Sequence, residues 1–387
     1  MNNSYSINRL ILTNYRSYDK LRIDTDSVKN IIITGENGAG KTNILEAISM
    51  LSQSGPFRKA KLTQLGKIEV QPQIFTISSH IKSDDITNIL GLSYNYTDKN
   101  SLSFSDDMQE TTEKRQIIAN EENITVGDLQ NYIRIVWITP FMDRLFSEAT
   151  VERRKFLDNL ISNFYPFYAT HLTQYSNLLK QRAKILKGAN YDTKWLDAIE
   201  SEIIEKGVAI AALRIEFEEK LNAILATSHS AFPNVKIIIT GTIEEKLKTQ
   251  KSVEVEEYFR SSLIANRELF KYNFSPAVEG IHRSDFSAIN LDKNITADQT
   301  STGEQKCTVI SIILAYANML YLYFNKYPLI LIDEAPAHLD NQKTLELFKE
   351  LEKLPTQVWL TGILADDFEF FKNKSSKFIR IENSSIK

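Results

Sequence analysis

The sequence predicts an α/β fold, in which a buried parallel sheet carries an antiparallel β flank and an inserted helical lobe. A run rich in β-branched residues at 28–34 leads directly into a glycine-rich turn, as buried strands of α/β proteins do. Between about 73 and 140, short alternating segments separated by polar clusters are typical of antiparallel hairpins. From about 142 to 230 the strand signals disappear and two helical stretches replace them.

Length and composition are those of an ordinary globular protein. The 387 residues suffice for two or three lobes, and 42% hydrophobic with 25% charged residues excludes a disordered or low-complexity chain. The 46 basic and 49 acidic side chains give a net charge of −3. The field of the whole molecule therefore does not draw it onto nucleic acid or an anionic membrane, and any such binding requires a local basic patch.

Cysteine content and the apolar stretches predict a cytoplasmic protein. The single cysteine, Cys307, has no internal partner for a disulfide, which favours a reducing compartment. The polar N-terminus lacks the apolar core of a secretory signal. The longest apolar stretch, 309–324, is shorter than the roughly 20 residues of a membrane helix. We interpret it as a buried core helix and expect no membrane partner.

The order of the predicted elements places the helical lobe inside one α/β domain. Strands are predicted at 5–12, 21–24 and 28–34, then at the flank segments QIFTISSHI, LGLSYNY and RIVWIT, then at VKIIIT, SDFSAINL, 328–333, 357–361 and 377–381, with the apolar helix at 308–324. Residues 1–140 and 233–387 are accordingly predicted as the two parts of the main domain, and 141–232 as the helical lobe.

Seven-residue spacing within the lobe predicts a short antiparallel hairpin with coiled-coil character. The spaced positions are Leu172, Leu179 and Leu186 before a break at Gly188-Ala189-Asn190, and Leu196, Ile203, Ile210, Phe217 and Ile224 after it. An amphipathic helix pair packed on the main domain accounts for the spacing about as well.

The strongest chemical motif is a phosphate-binding loop. It consists of Gly35, Glu36, Asn37, Gly38, Ala39, Gly40, Lys41 and Thr42, followed by Asn43 at the start of a predicted helix. This is the pattern G-x-x-x-x-G-K-[ST] between a strand and a helix, in which backbone N–H groups and the helix N-terminus converge on phosphate. Lys41 is predicted to reach the β and γ phosphates of ATP, and Thr42 to bind Mg²⁺.

A second motif ends the apolar strand Leu329-Ile330-Leu331-Ile332 with two carboxylates, Asp333 and Glu334. Strand ends at this edge of an α/β sheet hold ligands. Asp333 is predicted to hold Mg²⁺, and Glu334 to orient or deprotonate the attacking water. Together with the phosphate loop, these residues predict an ATPase.

A third motif, Ser301-Thr302-Gly303-Glu304-Gln305-Lys306, lies 32 residues before Asp333 and directly precedes the apolar helix. Ser301 with Glu304 also fits a helix capping box, so a purely structural role stays open. The segment resembles the signature of ABC-type ATPases of the SMC and RecF group. The resemblance implies an ABC-type P-loop head, in which Ser301 and Gly303 of one copy contact the γ-phosphate held by another copy. Thr361 would occupy the place where ABC transporters have a switch histidine.

Four further segments resemble elements of the RecF family of bacterial recombination ATPases. They are the run from Leu10 to Tyr18, Gly55-Pro56-Phe57-Arg58, Arg153-Arg154-Lys155-Phe156-Leu157-Asp158 and Gly280-Ile281-His282-Arg283-Ser284-Asp285. The resemblance implies that Arg16 approaches the nucleotide phosphates. Phe141 departs from the family pattern, and we assign it no metal or water contact.

The resemblance also implies function and partners. It implies an ATP-dependent homodimer that binds duplex DNA near single-strand gaps, acts with RecR and RecO to promote RecA loading, and supports replication restart and the SOS response. The spacing of 260 residues between Lys41 and Ser301 argues against a transporter subunit, and the short hairpin argues against a long SMC tether. Another SMC-like or ABC-type ATPase with a different partner stays an alternative.

Two basic runs free of acidic residues are candidates for the DNA contact. They contribute Arg58, Lys59, Lys61 and Lys67 within 58–67, and Lys180, Arg182, Lys184 and Lys187 in the helical lobe. A solvated helix face explains such a run equally well. An ATP-closed dimer would present each run twice, which would help an acidic protein to bind a phosphate backbone.

Overall fold

The computed structural model describes residues 3–58, 60–67, 73–97, 112–188, 192–272 and 279–387. The chain divides into two compact units: a first unit of Met1–Asp143 with Ala317–Lys387, and a second unit of Arg144–Tyr316. The second unit is larger than the predicted helical lobe, because it also contains the strands and helices between 233 and 316.

The strands are β1 (Tyr5–Tyr15), β2 (Tyr18–Asp24), β3 (Asn30–Thr34), β4 (Gln73–Ser83), β5 (Ile86–Thr97), β6 (Thr112–Ala119), β7 (Glu122–Ile124), β8 (Ile135–Ile138), β9 (Val235–Thr240), β10 (Asp285–Asn290), β11 (Ile295–Thr296), β12 (Leu329–Ile332), β13 (Val358–Gly362), β14 (Ser376–Glu382) and β15 (Ser385–Ile386). The helices are α1 (Lys41–Ser49), α2 (Thr150–Phe164), α3 (Tyr168–Leu186), α4 (Thr193–Thr227), α5 (Thr242–Leu247), α6 (Ser252–Tyr272), α7 (Thr302–Phe324) and α8 (Asn341–Lys353).

The first unit contains the predicted antiparallel flank as a sheet of order β2-β1-β4-β5-β6-β7. Every neighbouring pair in this sheet is antiparallel, so the predicted hairpins at 73–97 are confirmed. On the buried face, the ring of Phe75 stacks on Tyr94 and meets Tyr15 edge-on, with ring centroids 5.4 Å apart in both pairs. These rings belong to a hydrophobic core that also includes α1 and the second sheet of this unit.

The second sheet of the first unit has the order β15-β14-β3-β13-β12-β8, and β14 through β8 are parallel. The prediction that RIVWIT belongs to the antiparallel flank is wrong, because β8 pairs in parallel with β12. All four residues of β8 are buried. A continuous apolar run of this kind suits a parallel strand covered on both faces, whereas a half-exposed hairpin strand alternates.

The second unit is built on the long helix α4, which packs against α3, α6 and the sheet β11-β10-β9. The side-chain amide of Asn222 on α4 bonds both backbone groups of Ile237 on β9, at 2.8 and 2.9 Å. These bonds tie the strands after 233 to the helical lobe. Helix α6 is not among the elements predicted from the sequence.

The predicted hairpin forms from α3 and α4, but its register on α3 differs from the prediction. Leu196, Ile203, Ile210 and Phe217 are buried as predicted, whereas Leu172, Leu179 and Ile224 are only half-buried. Of the predicted α3 positions only Leu186 is buried, and α3 also buries the heptad series Tyr168, Tyr175 and Arg182. Ala189 and Asn190 of the predicted break lie outside the described residues, and Gly188 follows the end of α3.

Helix α7 matches the predicted core helix. Within the described residues it is the one helix that is long and apolar enough to cross a membrane, and 72% of its most apolar stretch is buried. Burial inside the protein is what the interpretation as a core helix requires.

Candidate nucleotide site

The phosphate loop connects β3 to α1 through glycines whose positions exclude other side chains. Gly40 has φ of 109°, and a Cβ there would lie 2.6 Å from the Tyr18 hydroxyl oxygen. A Cβ on Gly35 would collide with the carbonyl oxygen of Ile381. A cavity of about 470 Å³ adjoins the loop and is lined by Gly35–Ala39 and by residues 380–383. The loop therefore has the close-packed backbone that a phosphate cradle requires.

The N-terminus of α1 is free to bind an anion. No side chain caps it at Gly40, and within its first turn the Asn43 N–H donates to the Gly40 carbonyl oxygen at 3.0 Å. The Lys41 ammonium lies inside the loop and donates to the carbonyl oxygens of Gly35 at 2.7 Å and Glu36 at 2.8 Å. Burial lowers the pKa of Lys41, and the charges of Asp333 and Glu334 oppose that shift.

The two motifs at the strand ends meet at Asp333. Thr42 Oγ1 and Thr361 Oγ1 both donate to Asp333 Oδ1, at 3.0 and 2.7 Å. Asp333 is buried, which raises its pKa, while the hydrogen bonds from the two threonines oppose the shift by favouring the carboxylate. Parallel pairing of β12 and β13 accounts for the meeting, since both strands end at the same edge of the sheet.

Glu334 follows in a left-handed backbone conformation, with φ of 51°. Its N–H donates to Thr361 Oγ1 at 2.8 Å, and its side chain is exposed. A non-glycine residue with positive φ is uncommon and costs free energy. The exposed carboxylate is accessible to water, as a base for hydrolysis must be.

Arg16 reaches α1, where it pairs with a residue that the sequence analysis missed. Its guanidinium donates to both carboxylate oxygens of Glu46, at 2.9 and 3.0 Å, and Glu46 is fully buried. Burial by itself lowers the pKa of Arg16, but the hydrogen bonds and charge of Glu46 outweigh burial and raise the pKa above its ordinary value. Glu46 lies one turn after Thr42, so Arg16 is anchored beside the phosphate loop. The sequence feature that could have indicated this role is that Glu46 is an acidic residue with apolar neighbours on both sides in α1.

Ser301 lies in the second unit, at the start of α7. Its N–H and hydroxyl both donate to Glu304 Oε2 at 2.9 Å, and Lys293 forms an ion pair with the same carboxylate. The pKa of Glu304 is lowered to about 2, first by the hydrogen bond from Lys293 and then by those from Ser301. The capping box is therefore formed, and the exposed Ser301 is held by its own helix.

The predicted DNA residues separate into exposed and buried groups. Arg58, Lys61, Lys180, Lys184 and Lys187 are exposed, and Lys59 lies outside the described residues. The prediction for Arg182 is wrong. That side chain is 2% exposed, and its guanidinium donates to Glu200 Oε1 and the carbonyl oxygen of Leu263, both at 2.8 Å.

Thr42 and Asp333 fit a magnesium ion that is bound together with a nucleotide. Magnesium keeps few protein ligands and fills its shell with water and phosphate oxygens. Thr42 Oγ1 and Asp333 Oδ1 are neighbouring oxygens, 3.0 Å apart. No cluster of three or more His, Cys, Asp or Glu residues able to hold a metal occurs in the described part of the chain. Thr42 and Asp333 thus offer two oxygen atoms of the kind that magnesium takes as ligands.

Fold and site together define an ABC-type ATPase head of the SMC kind. The family model described as "RecF/RecN/SMC N terminal domain" matches residues 6–384. The chain belongs to the RecF family: it is 31% identical to the "DNA replication and repair protein RecF" of Mesorhizobium japonicum over 383 residues, which cover 98% of this chain and 97% of the relative. The protein of the same name from Rickettsia bellii is 31% identical over 370 residues, covering 95% and 97%.

Solved structures agree on the fold. The recombination mediator protein RecF with ATPrS superimposes with a TM-score of 0.82 at 21% identity, covering 99% of this chain and 98% of that one. An SMC head domain from Pyrococcus furiosus, bound to part of ScpA, gives a TM-score of 0.50 at 14% identity, covering 99% and 95%. The predicted ABC-type fold is confirmed.

Proposed function

We propose that this chain is an ATP-dependent DNA-binding protein of recombinational repair, which dimerises around ATP on DNA at single-strand gaps. The observation that carries the proposal is the convergence of Lys41, Thr42, Asp333 and Glu334 at one sheet edge. The names of its RecF relatives support the repair role. By the same family argument, we propose a cytoplasmic protein that acts with RecR and RecO in RecA loading, replication restart and the SOS response.

The residues of the first unit would bind and hydrolyse ATP in the following way. The Lys41 ammonium exchanges the carbonyl oxygens of Gly35 and Glu36 for β and γ phosphate oxygens, while the N-terminus of α1 donates to the same phosphates. Thr42 and Asp333 would hold Mg²⁺, which when bound neutralises charge on the phosphates. Glu334 takes a proton from the attacking water, whose oxygen bonds to the γ-phosphorus as the bond to ADP breaks.

The second unit would supply the other half of the site to a partner copy. Ser301 is exposed at a helix N-terminus, and its hydroxyl donates to Glu304. To bind the γ-phosphate of a partner copy, that hydroxyl must leave Glu304. ATP binding would thus close a dimer and hydrolysis would reopen it, so we expect slow turnover with a conformational output.

Removing either half of the composite site should abolish ATP-dependent dimerisation. Lys41→Ala removes the cation that binds the phosphates, and Ser301→Arg places a bulky side chain where the partner's phosphate would lie. Analytical ultracentrifugation with and without ATP measures the result, and we expect both variants to remain monomeric under conditions in which the wild-type chain dimerises. If both variants still dimerise with ATP, the proposed sandwich is wrong.

Two exposed lysines of α3 and the residue that follows its end form a basic stripe: Lys180, Lys184 and Lys187. Spacings of four and three residues put them on one helix face, and α3 contains no acidic residue. Arg182 lies on the opposite, buried face. The stripe supports α3 as the part of the second unit that contacts the DNA backbone.

Charge reversal of the stripe to glutamate should weaken DNA binding in the presence of ATP. Each lost phosphate contact reduces the slope of log affinity against log salt by about 0.9 on duplex DNA, so three contacts predict a reduction of roughly 2 to 3. Fluorescence anisotropy over a salt series, with gapped, duplex and single-stranded DNA, measures this slope. Reversal of the exposed Lys349, Lys353 and Lys372 in the first unit is the matched control for net charge. An equal loss in that control would contradict the stripe.

A further inference from the structure

Thr361, which the resemblance to ABC-type ATPases places at the switch position, bonds directly to both carboxylate-bearing residues of the site. It is fully buried near the end of β13. Its hydroxyl donates to Asp333 Oδ1 at 2.7 Å and accepts the N–H of Glu334 at 2.8 Å. Its carbonyl oxygen accepts the N–H of Ala335 at 3.0 Å. One side chain and its own backbone thus hold three consecutive residues.

These bonds compensate for strain at the site. Glu334 adopts φ of 51°, which persists only where the surroundings hold it. The bond from its N–H to Thr361 stabilises that conformation. The bond to Asp333 Oδ1 fixes the carboxylate orientation together with Thr42, whose hydroxyl donates to the same oxygen at 3.0 Å.

We propose that Thr361 is a positioning residue for ATP hydrolysis. From β13, the strand next to β12, it holds Asp333 and Glu334 in place. This inference rests on the proposed ATPase activity. A threonine that served only as a β-former would be replaceable by valine, which has the same shape and β propensity. The hydroxyl alone carries the proposed role.

The test compares Thr361→Val with Thr361→Ser, which keeps the hydroxyl. The valine variant loses a hydrogen bond to the charged Asp333 carboxylate. Because the free energy of such a bond corresponds to a large factor in rate, we expect kcat to fall about ten- to a hundredfold. Its KM for ATP and its ATP-dependent dimerisation should stay within about threefold of wild type, because it removes no group that binds phosphate. We expect Thr361→Ser to keep kcat within about threefold of wild type.

Thr356→Val is the matched control. Thr356 is also buried, and it donates a hydrogen bond to the carbonyl oxygen of Pro328 at 2.6 Å. It lies just before the start of β13, whereas Thr361 lies near its end. At about 3.3 Å per residue, the two threonines are roughly 16 Å apart. Its variant should keep wild-type kcat. Thr361→Ala gives the same comparison if the valine variant does not fold.

Two results would overturn the inference while the proposed function stands. One is a folded Thr361→Val or Thr361→Ala chain with wild-type kcat, and the other is a Thr361→Ser chain as slow as the valine variant. A wild-type chain that hydrolyses no ATP would overturn the proposed function itself and this inference with it.

Discussion

Glu334→Gln is expected to lower the rate of ATP hydrolysis by at least about a hundredfold, because a general base contributes roughly 10²- to 10⁴-fold and an amide accepts no proton. The substitution preserves size, and the bond from the residue 334 N–H to Thr361 involves only the backbone of residue 334. The strained turn should therefore survive. We expect the variant to bind ATP and dimerise like the wild-type chain, and then to remain dimeric, since hydrolysis no longer opens the site.

Phosphate release and analytical ultracentrifugation on the same samples measure both effects. Glu369→Gln is the control, because Glu369 is 80% exposed in the first unit and lies 3.7 Å from Lys372. It should change neither rate nor dimerisation. Hydrolysis by Glu334→Gln within about threefold of the wild-type rate would remove Glu334 from the role of base.

Arg214→Met is expected to destabilise the second unit by about 3–5 kcal/mol, the cost of breaking a buried ion pair by removing one partner. Arg214 is fully buried and donates to Glu244 Oε1 at 3.0 Å and Asp158 Oδ1 at 2.9 Å. It also donates to the Tyr168 hydroxyl and to the carbonyl oxygen of Ile281, both at 2.8 Å. Burial by itself lowers the pKa of Arg214, but Tyr168, Asp158 and Glu244 raise that pKa well above its ordinary value.

Urea unfolding followed by far-UV circular dichroism, with hydrogen exchange of α4 to locate the change, measures the loss. Arg260→Met is the matched control in the same unit. Arg260 is 42% exposed and lies 4.0 Å from Glu257, so its loss should cost under about 1 kcal/mol. An equal cost for the two variants would show that the network around Arg214 contributes no more than a surface pair.

Two of the family-like segments are structural partners of each other. Arg153 donates to both carboxylate oxygens of Asp285, at 2.8 and 2.6 Å, and Arg154 donates to the carbonyl oxygen of Ser284 at 2.7 Å. The segments beginning at Arg153 and Gly280 therefore bind each other inside the second unit. Their resemblance to the RecF family identifies the chain correctly, although most of these contacts stabilise the fold.

Residues that belong to short local motifs lie where the sequence predicts them. The phosphate loop, the pair Asp333 and Glu334, and Ser301 each occupy a short motif whose neighbours determine its structure. Strand ends and helix starts are visible in such motifs, so the residues that converge at the sheet edge could be named in advance. The strands β3, β12 and β13 followed from their apolar runs for the same reason.

Sequence reasoning failed where a residue's role depends on a distant partner. Arg182 is indistinguishable from its lysine neighbours in a charge count, yet Glu200 and Leu263 bind it inside the protein. The heptad spacing of α3 allows more than one inward face, and packing selected the one with Tyr175.

Local pattern thus predicted the class of protein and the residues that converge at the edge of the parallel sheet, because each motif consists of residues that are adjacent in the chain. Long-range contact alone settled the placement of β8, the anchoring of Arg16 by Glu46, the burial of Arg182 and the bonds of Thr361 to Asp333 and Glu334. Each of these depends on which strands and helices become neighbours. That choice is made by the free energy of burying apolar surface and pairing polar groups across the whole fold, which no single stretch of sequence records.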